Sequence, residues 1–263
     1  MRTSVCVISK NEEQYLEEWV EHYKELGFDN VLFYDNNEEG DDSQYNVLKN
    51  YIDEGFVIYH DYRMYHNCSQ QTMCYIECLK IYKKEYDWIA FFDVDEFLTL
   101  EKHKNIKEFL THNKEYEKYD SIAIRWIIMD DNDLVKNDGR PCKERFTRKN
   151  INFQPNMKSI ANTKKIDIKK TEDNFNLHYL SFDNNICNVR GEKCNRFKDK
   201  KEENPIVYLK HFRFKTVEEL IEKIKRGDAY FINFDRQNEL IEWFFNCNKR
   251  TEEKEKLIKD FLL

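Results

Sequence analysis

Glycine and proline are scarce in this chain, at six and three of 263 residues. Such scarcity excludes collagen-like and Pro/Gly-rich disordered architectures, and it leaves no stretch soft enough to act as a linker. Long apolar runs are missing too: none approaches the roughly 18 residues of a membrane span. The opening Met1-Arg-Thr-Ser-Val-Cys-Val-Ile-Ser9 is too short for a signal peptide and reads as a first strand. Excess positive charge is also absent. The formal net charge is −7, so bulk attraction to nucleic acid or to an anionic membrane is not indicated. The eight cysteines contain no C-x-x-C pair, and without an export signal they are expected to be reduced, partly buried thiols. Cys74 and Cys78 share a helix face, but no nearby His or Cys completes a zinc set. What the chain does have is 40% hydrophobic and 15% aromatic content, enough to bury one large core. The expectation is a cytoplasmic, enzyme-sized domain, with peripheral contact at the inner face of a membrane left open.

One stretch organises the rest: Trp88-Ile-Ala-Phe-Phe-Asp-Val-Asp-Glu-Phe-Leu98. Trp88 to Phe92 read as a short buried strand. Asp93, Asp95 and Glu96 then place three carboxylates within four residues. Unpaired charge cannot continue into a core, so the strand ends where the acids begin and a cation should meet them there. In open α/β sheets that place is the crevice outside the carboxyl ends of the strands. Hard oxygen ligands suit Mg²⁺ or Mn²⁺, ions that bridge carboxylates to substrate phosphates. Asp93 and Asp95 are the candidate ligands.

Taken in order, Thr3–Ser9 is a strand and is followed by Lys10-Asn11-Glu12. Tyr15, Leu16, Trp19, Val20, Tyr23 and Leu26 recur at helical spacing up to Gly27. Asn30–Tyr34 is a second strand ending in Asp35-Asn36, and a helix carries Val47, Leu48 and Tyr51. Phe56–Tyr59 is a third strand, and a helix that Ser69 can cap delivers the chain to Trp88. This alternation implies parallel strands with right-handed crossovers, a Rossmann-like half. Polar groups recur where strands one, two and four end, as expected of one ligand site. Ile106–Leu110 is a short helix and Ser121–Met129 another apolar strand. Residues 148–175 are basic and weakly alternating and read as exposed hairpins. Asn176–Phe182 contains His178, and Ile206–Phe214 reads as a last strand containing His211. Helices follow over Val217–Ile224, Gln237–Phe245 and from Thr251. The expected division is residues 1–227 as one domain, with 228–263 as a helical extension packed on it.

Several of these segments resemble a known family. Val7-Ile-Ser-Lys-Asn-Glu12, Leu16-Glu-Glu-Trp19, Gly27-Phe-Asp-Asn-Val31 and Tyr34-Asp-Asn36 look like the opening of GT-A glycosyltransferases of family 92 and their family 2 relatives. The likeness continues through Gln71, Cys74-Tyr75, the Trp88–Leu98 stretch, Ile124-Arg-Trp126 and Glu144-Arg-Phe146. It ends with Leu209-Lys-His211 and Lys215-Thr-Val-Glu-Glu-Leu220. The resemblance implies an α/β GT-A fold, a mostly parallel sheet flanked by helices. It also implies metal-dependent hexose transfer from a nucleotide diphosphate sugar, a uridine diphosphate sugar at family level with galactose as the guess. The acceptor is then a hydroxyl of a glycan or lipid-linked glycan, as in polysaccharide biosynthesis, and neither nucleic acid nor a transmembrane segment is involved.

On the same resemblance, Asp95, Asp93 and the late His211 hold the ion, Mn²⁺ or Mg²⁺. Ser9, Lys10, Asn11, Glu12, Asp35, Asn36, Gln71 and Asp93 match nucleotide and donor positions. Trp126 offers an aromatic platform for a sugar, and His178 has a counterpart near the acceptor. Asn11 and Asp35 have bland alternatives in helix capping and Asx-turn formation. An inverting transfer needs a carboxylate base on the face opposite the leaving group; Asp131 and Glu144 are the candidates. Two other readings come from other classes. One is a non-catalytic sugar-binding module on the same fold. The other is a haloacid-dehalogenase-like phosphatase with Asp93 as nucleophile, although Phe97 stands where that family wants Thr or Val.

Overall fold

β1 (Thr3–Ser9), α1 (Glu13–Glu25), β2 (Asn30–Asp35), α2 (Ser43–Asp53), β3 (Val57–Asp61), α3 (Gln70–Tyr82) and β4 (Trp88–Phe91) alternate in the first part of the chain. This computed structural model describes residues 1–63, 70–150, 156–168, 185–194, 205–226 and 237–262. Ser69 and His178 lie outside the described residues. β1 and β4 are buried on both faces, as their unbroken apolar runs require. α1 turns Tyr15, Leu16, Trp19, Val20 and Tyr23 onto the sheet and stops at Gly27, whose φ of 80° an L side chain rarely adopts. A Cβ there would also press on the Asn105 side chain at 3.3 Å. The four strands are parallel in the order β3-β2-β1-β4, with Val5 between Val31 and Ala90.

Beyond β4 the sheet becomes mixed. β5 (Glu96–Leu100), α4 (Ile106–His112), a 3₁₀ turn (Lys114–Lys118), β6 (Ser121–Ile128), α5 (Cys142–Arg145), β7 (Met157–Asn162), β8 (Ile186–Cys187) and β9 (Val207–His211) follow. The order continues β4-β7-β6-β9-β5, with β8 beside β6. β7 corrects the hairpin reading of residues 148–175. It is buried along its whole length and pairs antiparallel with both β4 and β6. Its polar residues misled because Lys158 is neutralised inside the protein rather than by water, which erases the alternation an exposed hairpin would show. β5 has no counterpart among the elements expected from sequence, and the last strand stops at His211 rather than Phe214.

Three helices close the described chain: α6 (Val217–Arg226), α7 (Gln237–Cys247) and α8 (Glu252–Leu262). Phe214, Val217 and Leu220 form one apolar cluster with Ile241, Phe244 and Ile258, so α7 and α8 pack on residues preceding the expected boundary at 227. No described helix is long and apolar enough to cross a membrane. All seven described cysteines are free thiols. A Rossmann-like parallel half extended on one side by a mixed set of strands, with helices on its faces, is the mostly parallel α/β arrangement expected from the sequence.

Candidate active site

The chain turns back on itself between β4 and β5, and α1 fastens the turn. Trp19 Nε1 donates to the carbonyls of Asp93 (2.9 Å) and Glu96 (3.1 Å), and Tyr23 donates to Glu96 O at 2.9 Å. The Glu96 carboxylate accepts from the Asp93 backbone N–H at 2.9 Å. This turn divides the acids. Asp93 and Glu96 face β7, where Lys158 Nζ lies 2.8 Å from Asp93 Oδ1 and 3.8 Å from Glu96 Oε2. Asp93 Oδ1 also accepts from Gln71 (2.6 Å) and Tyr75 (3.3 Å) on α3. Burial alone would lower the Lys158 ammonium, but Asp93 and Glu96 outweigh it and hold it above its ordinary value. Burial pushes the Glu96 carboxyl well up despite that neighbour. Lys158 thus pairs closely with Asp93 and stands farther from the Glu96 carboxyl.

Asp95 points the other way. Its backbone carbonyl accepts from Phe212 N at 2.8 Å, which brings β9 alongside, and Glu96 sits opposite His211 in the ladder. His211 Nε2 lies 3.4 Å from Asp95 Oδ1, and Lys223 Nζ lies 3.3 Å from Asp95 Oδ2. Burial pushes the His211 imidazole below its ordinary value against the pull of Asp95. Burial would raise the Asp95 carboxyl, but His211, Lys223 and Lys215 outweigh it and hold it well below the usual carboxylate range. Asp95 is thus the strongly acidic member of the pair and His211 the weakened base. Trp126 of β6 is 4% exposed and packs its ring edgewise on His211, with centroids 4.3 Å apart. It therefore orients His211 and does not offer an open platform.

Lys223 borders an open pocket of about 580 Å³ between the start of α1 and residues 213–225, lined by Asn11, Glu12, Tyr15, Arg213, Lys215 and Glu219 among others. Glu219 builds this wall. Thr216 and Glu219 form a capping box at the start of α6: Glu219 N donates to Thr216 Oγ1, and Thr216 N donates to Glu219 Oε2. Arg145 of α5 donates to both Glu219 oxygens at 2.8 Å, and Tyr15 of α1 donates to Oε1 at 2.7 Å. Burial would raise the Glu219 carboxyl, but these donors hold it below its ordinary value. Lys215, at φ 54°, sits 3.9 Å over the Tyr15 ring. Burial would lower its ammonium, but Glu12 and its other neighbours keep it above the ordinary lysine value.

Of the residues expected at the ends of β1 and β2, Asn11 and Glu12 line this pocket, while Ser9 and Asp35 belong to a tightly bonded group. Gln44 accepts from the Ser9 hydroxyl and donates to Ser9 O and to Asp35 Oδ1. Asp35 is fully buried and also accepts from Tyr59 (2.7 Å) and Asn37 N (2.9 Å). Asn36 is 3% exposed, Lys10 pairs with Glu38 at the surface, and Asn11 N donates to the buried Asn37 side chain. Asp35 thus closes an Asx-turn, and its carboxylate accepts from Gln44, Tyr59 and the Asn37 N–H. Asp35→Ala is accordingly expected to destabilise the fold by about 2–4 kcal/mol through stranded buried donors. Urea unfolding measures it; full stability combined with weakened uridine diphosphate binding would return Asp35 to the nucleotide pocket.

Of the two expected bases, Asp131 is 1% exposed and lies 2.5 Å from Lys254 of α8, both side chains being fully buried. It is withdrawn from any substrate. Glu144 is exposed on α5. Sequence reasoning missed Lys158, Lys215, Lys223, Asn37 and the Arg145–Glu219 pair. Lys215, Arg145 and Glu219 lie inside segments that carry the family resemblance, and the Thr216-x-x-Glu219 spacing is the local signal that could have pointed to Glu219. The structure joins Asp93 to Gln71 and Asp95 to His211, as two neighbouring subsites rather than one three-ligand centre. Among the described residues no group of three His, Cys, Asp or Glu side chains is placed to hold an ion alone.

Comparison with known proteins adds the lineage. Over 103 residues the chain is 35% identical to galactan beta-1,4-galactosyltransferase GALS3 of Arabidopsis thaliana, covering 36% of this chain and 19% of that protein. It is 28% identical over 104 residues to a glycosyltransferase family 92 protein of Ricinus communis, covering 40% of this chain and 18% of that one. The chain thus spans about a fifth of the length of the curated relatives it matches. Among solved structures it is similar to TarS 1-349 of S. aureus in complex with UDP (TM-score 0.39, 14% identity, covering 94% of this chain and 71% of that one). An active site mutant of LgtC is similar at TM-score 0.39 and 13% identity, covering 95% of this chain and 98% of that one. The model of glycosyltransferase family 92 matches residues 2–261, and the chain belongs to that family.

Proposed function

We propose that this chain transfers a hexose from a uridine diphosphate sugar to a hydroxyl of a glycan or lipid-linked glycan, with a divalent ion at the donor's diphosphate. The observation that carries the reading is the meeting of Asp95 and His211 with Lys223, which lines a pocket that also presents Lys215. A carboxylate and a neutral imidazole suit Mn²⁺ or Mg²⁺. Asp95 Oδ1 and His211 Nε2, 3.4 Å apart, are the atoms that together would hold the ion. Asp93, held by Lys158 and Gln71, is left to the donor's hydroxyls. When bound, the ion neutralises charge developing on the departing diphosphate. Lys215 and Lys223, both lining the pocket, supply positive charge to the same group. Galactose is favoured by the relative named as a galactan galactosyltransferase. An inverting course needs an accessible carboxylate, and of the two candidates Glu144 is the exposed one.

A screen of nucleotide sugars for hydrolysis and transfer, with and without Mn²⁺, tests the reading. Mn²⁺-dependent release of uridine diphosphate is the expected result, and no turnover of any uridine diphosphate sugar would sink it. His211→Ala should weaken Mn²⁺ and donor binding together, by at least about tenfold if a ligand is lost. Since burial lowers the ring's pKa, wild-type Mn²⁺ affinity should hold to below pH 6.5 and fall only under more acidic conditions. Calorimetric Mn²⁺ titrations of both proteins across pH check this. An unchanged affinity in His211→Ala removes the ring from the ion's shell.

A further inference from the structure

Both oxygens of the Asp95 carboxylate are engaged in the free protein: Oδ1 by His211 and Oδ2 by the ammonium of Lys223. The ammonium has a second anchor, the carbonyl of Arg213 at 3.0 Å. Lys223 therefore stands where a divalent ion bound to Asp95 would meet like charge. Its side chain is 28% exposed and lines the pocket, so it has room to swing. Its backbone does not, because Thr216, Arg145 and Tyr15 lock the preceding turn of α6 through Glu219. A divalent ion at Asp95 would repel the ammonium, and an anionic diphosphate in the pocket would attract it.

We propose that Lys223 is a displaceable counter-ion of Asp95: it holds the cation position in the free protein and passes to the donor's diphosphate when the divalent ion is bound. The inference rests on the proposed metal-dependent donor site and adds an order to it. Asp95 carries one positive partner at every stage, Lys223 first and the ion afterwards. The free protein consequently binds divalent ions weakly, and the donor draws the ion in.

The test compares wild type with Lys223→Met, which keeps the stem and loses the charge, and with Lys223→Arg. Mn²⁺ binding is followed by electron paramagnetic resonance without nucleotide, then uridine diphosphate binding by calorimetry at saturating Mn²⁺. Lys223→Met should bind Mn²⁺ at least about tenfold more tightly and uridine diphosphate at least about fivefold more weakly, as removal of a close like charge and of a close opposite charge predicts. Lys223→Arg should stay within about threefold of wild type in both, because it restores the charge. Equal Mn²⁺ affinity in wild type and Lys223→Met overturns the counter-ion role, and tighter Mn²⁺ with unchanged nucleotide affinity overturns the transfer to the diphosphate. Failure of every protein to bind Mn²⁺, even with uridine diphosphate present, overturns the metal reading of the site and this inference with it.

Discussion

Asp95→Asn is expected to lower sugar transfer by at least about 10³-fold, the scale on which loss of a principal electrostatic contact lowers rates. Asp95 is the acid at this turn that faces His211 and Lys223, whereas Asp93 and Glu96 are committed to Lys158. The amide has nearly the same shape, and the backbone bond from Phe212 N to Asp95 O does not involve the side chain. The turn and the β5–β9 pairing should therefore persist in a folded protein, with a melting temperature lowered by the loss of the charge that His211 and Lys223 meet. A steady-state assay with the productive donor, beside a thermal melt, separates the two effects. Retention of a tenth of the activity or more in a folded variant would move the centre of the chemistry elsewhere.

The second large effect concerns stability. Lys254→Met is expected to cost about 3–5 kcal/mol, the usual consequence of stranding one partner of a buried ion pair. The Asp131 carboxylate would keep the bond from the backbone N–H of Asp133, and the Asp131 N–H would still donate to Asn248 Oδ1, but the counter-charge would be gone. Its carboxyl is already raised by burial against the pull of Lys254. A carboxyl whose folded pKa lies above its unfolded value stabilises the fold below the unfolded pKa and loses that contribution as pH rises. The defect should accordingly be smaller near pH 4 than at pH 7, which urea unfolding at both values reports. Turnover per folded molecule should stay near wild type in Asp131→Asn. A folded Asp131→Asn protein without activity would restore Asp131 as the base.

How much was legible in the sequence followed from how each residue is solvated. The β-α alternation through β4 was readable because each of those elements buries one face or both and signals it with apolar periodicity. Gly27 and the acids after Phe92 punctuated it correctly. β7 was not readable, because a strand bearing Lys158, Ser159 and Asn162 looks like surface until its partners are known. The same blindness hid Lys215 and Lys223, cations in a chain with 43 Lys and Arg, most of which spacing alone assigns to solvent. Asp131 misled in the opposite sense. A run of acids and Asn reads as a wet turn, yet one of them is sealed by a lysine more than a hundred residues later. Short-range spacing reports local structure, and it cannot report a counter-ion delivered by a distant helix.

The place of β7 between β4 and β6 bears on how the chain is made. A ribosome releases the first four parallel strands well before residue 157 emerges. Until then Trp88-Ile-Ala-Phe91 is an open, apolar, uncharged edge, the kind that recruits strands from other molecules. Fragments ending before Met157 are expected to pellet on expression, whereas the full chain stays in the supernatant. The antiparallel strand therefore acts, during synthesis, as a late seal on an adhesive border, and the lysine it carries arrives at the acids in the same event.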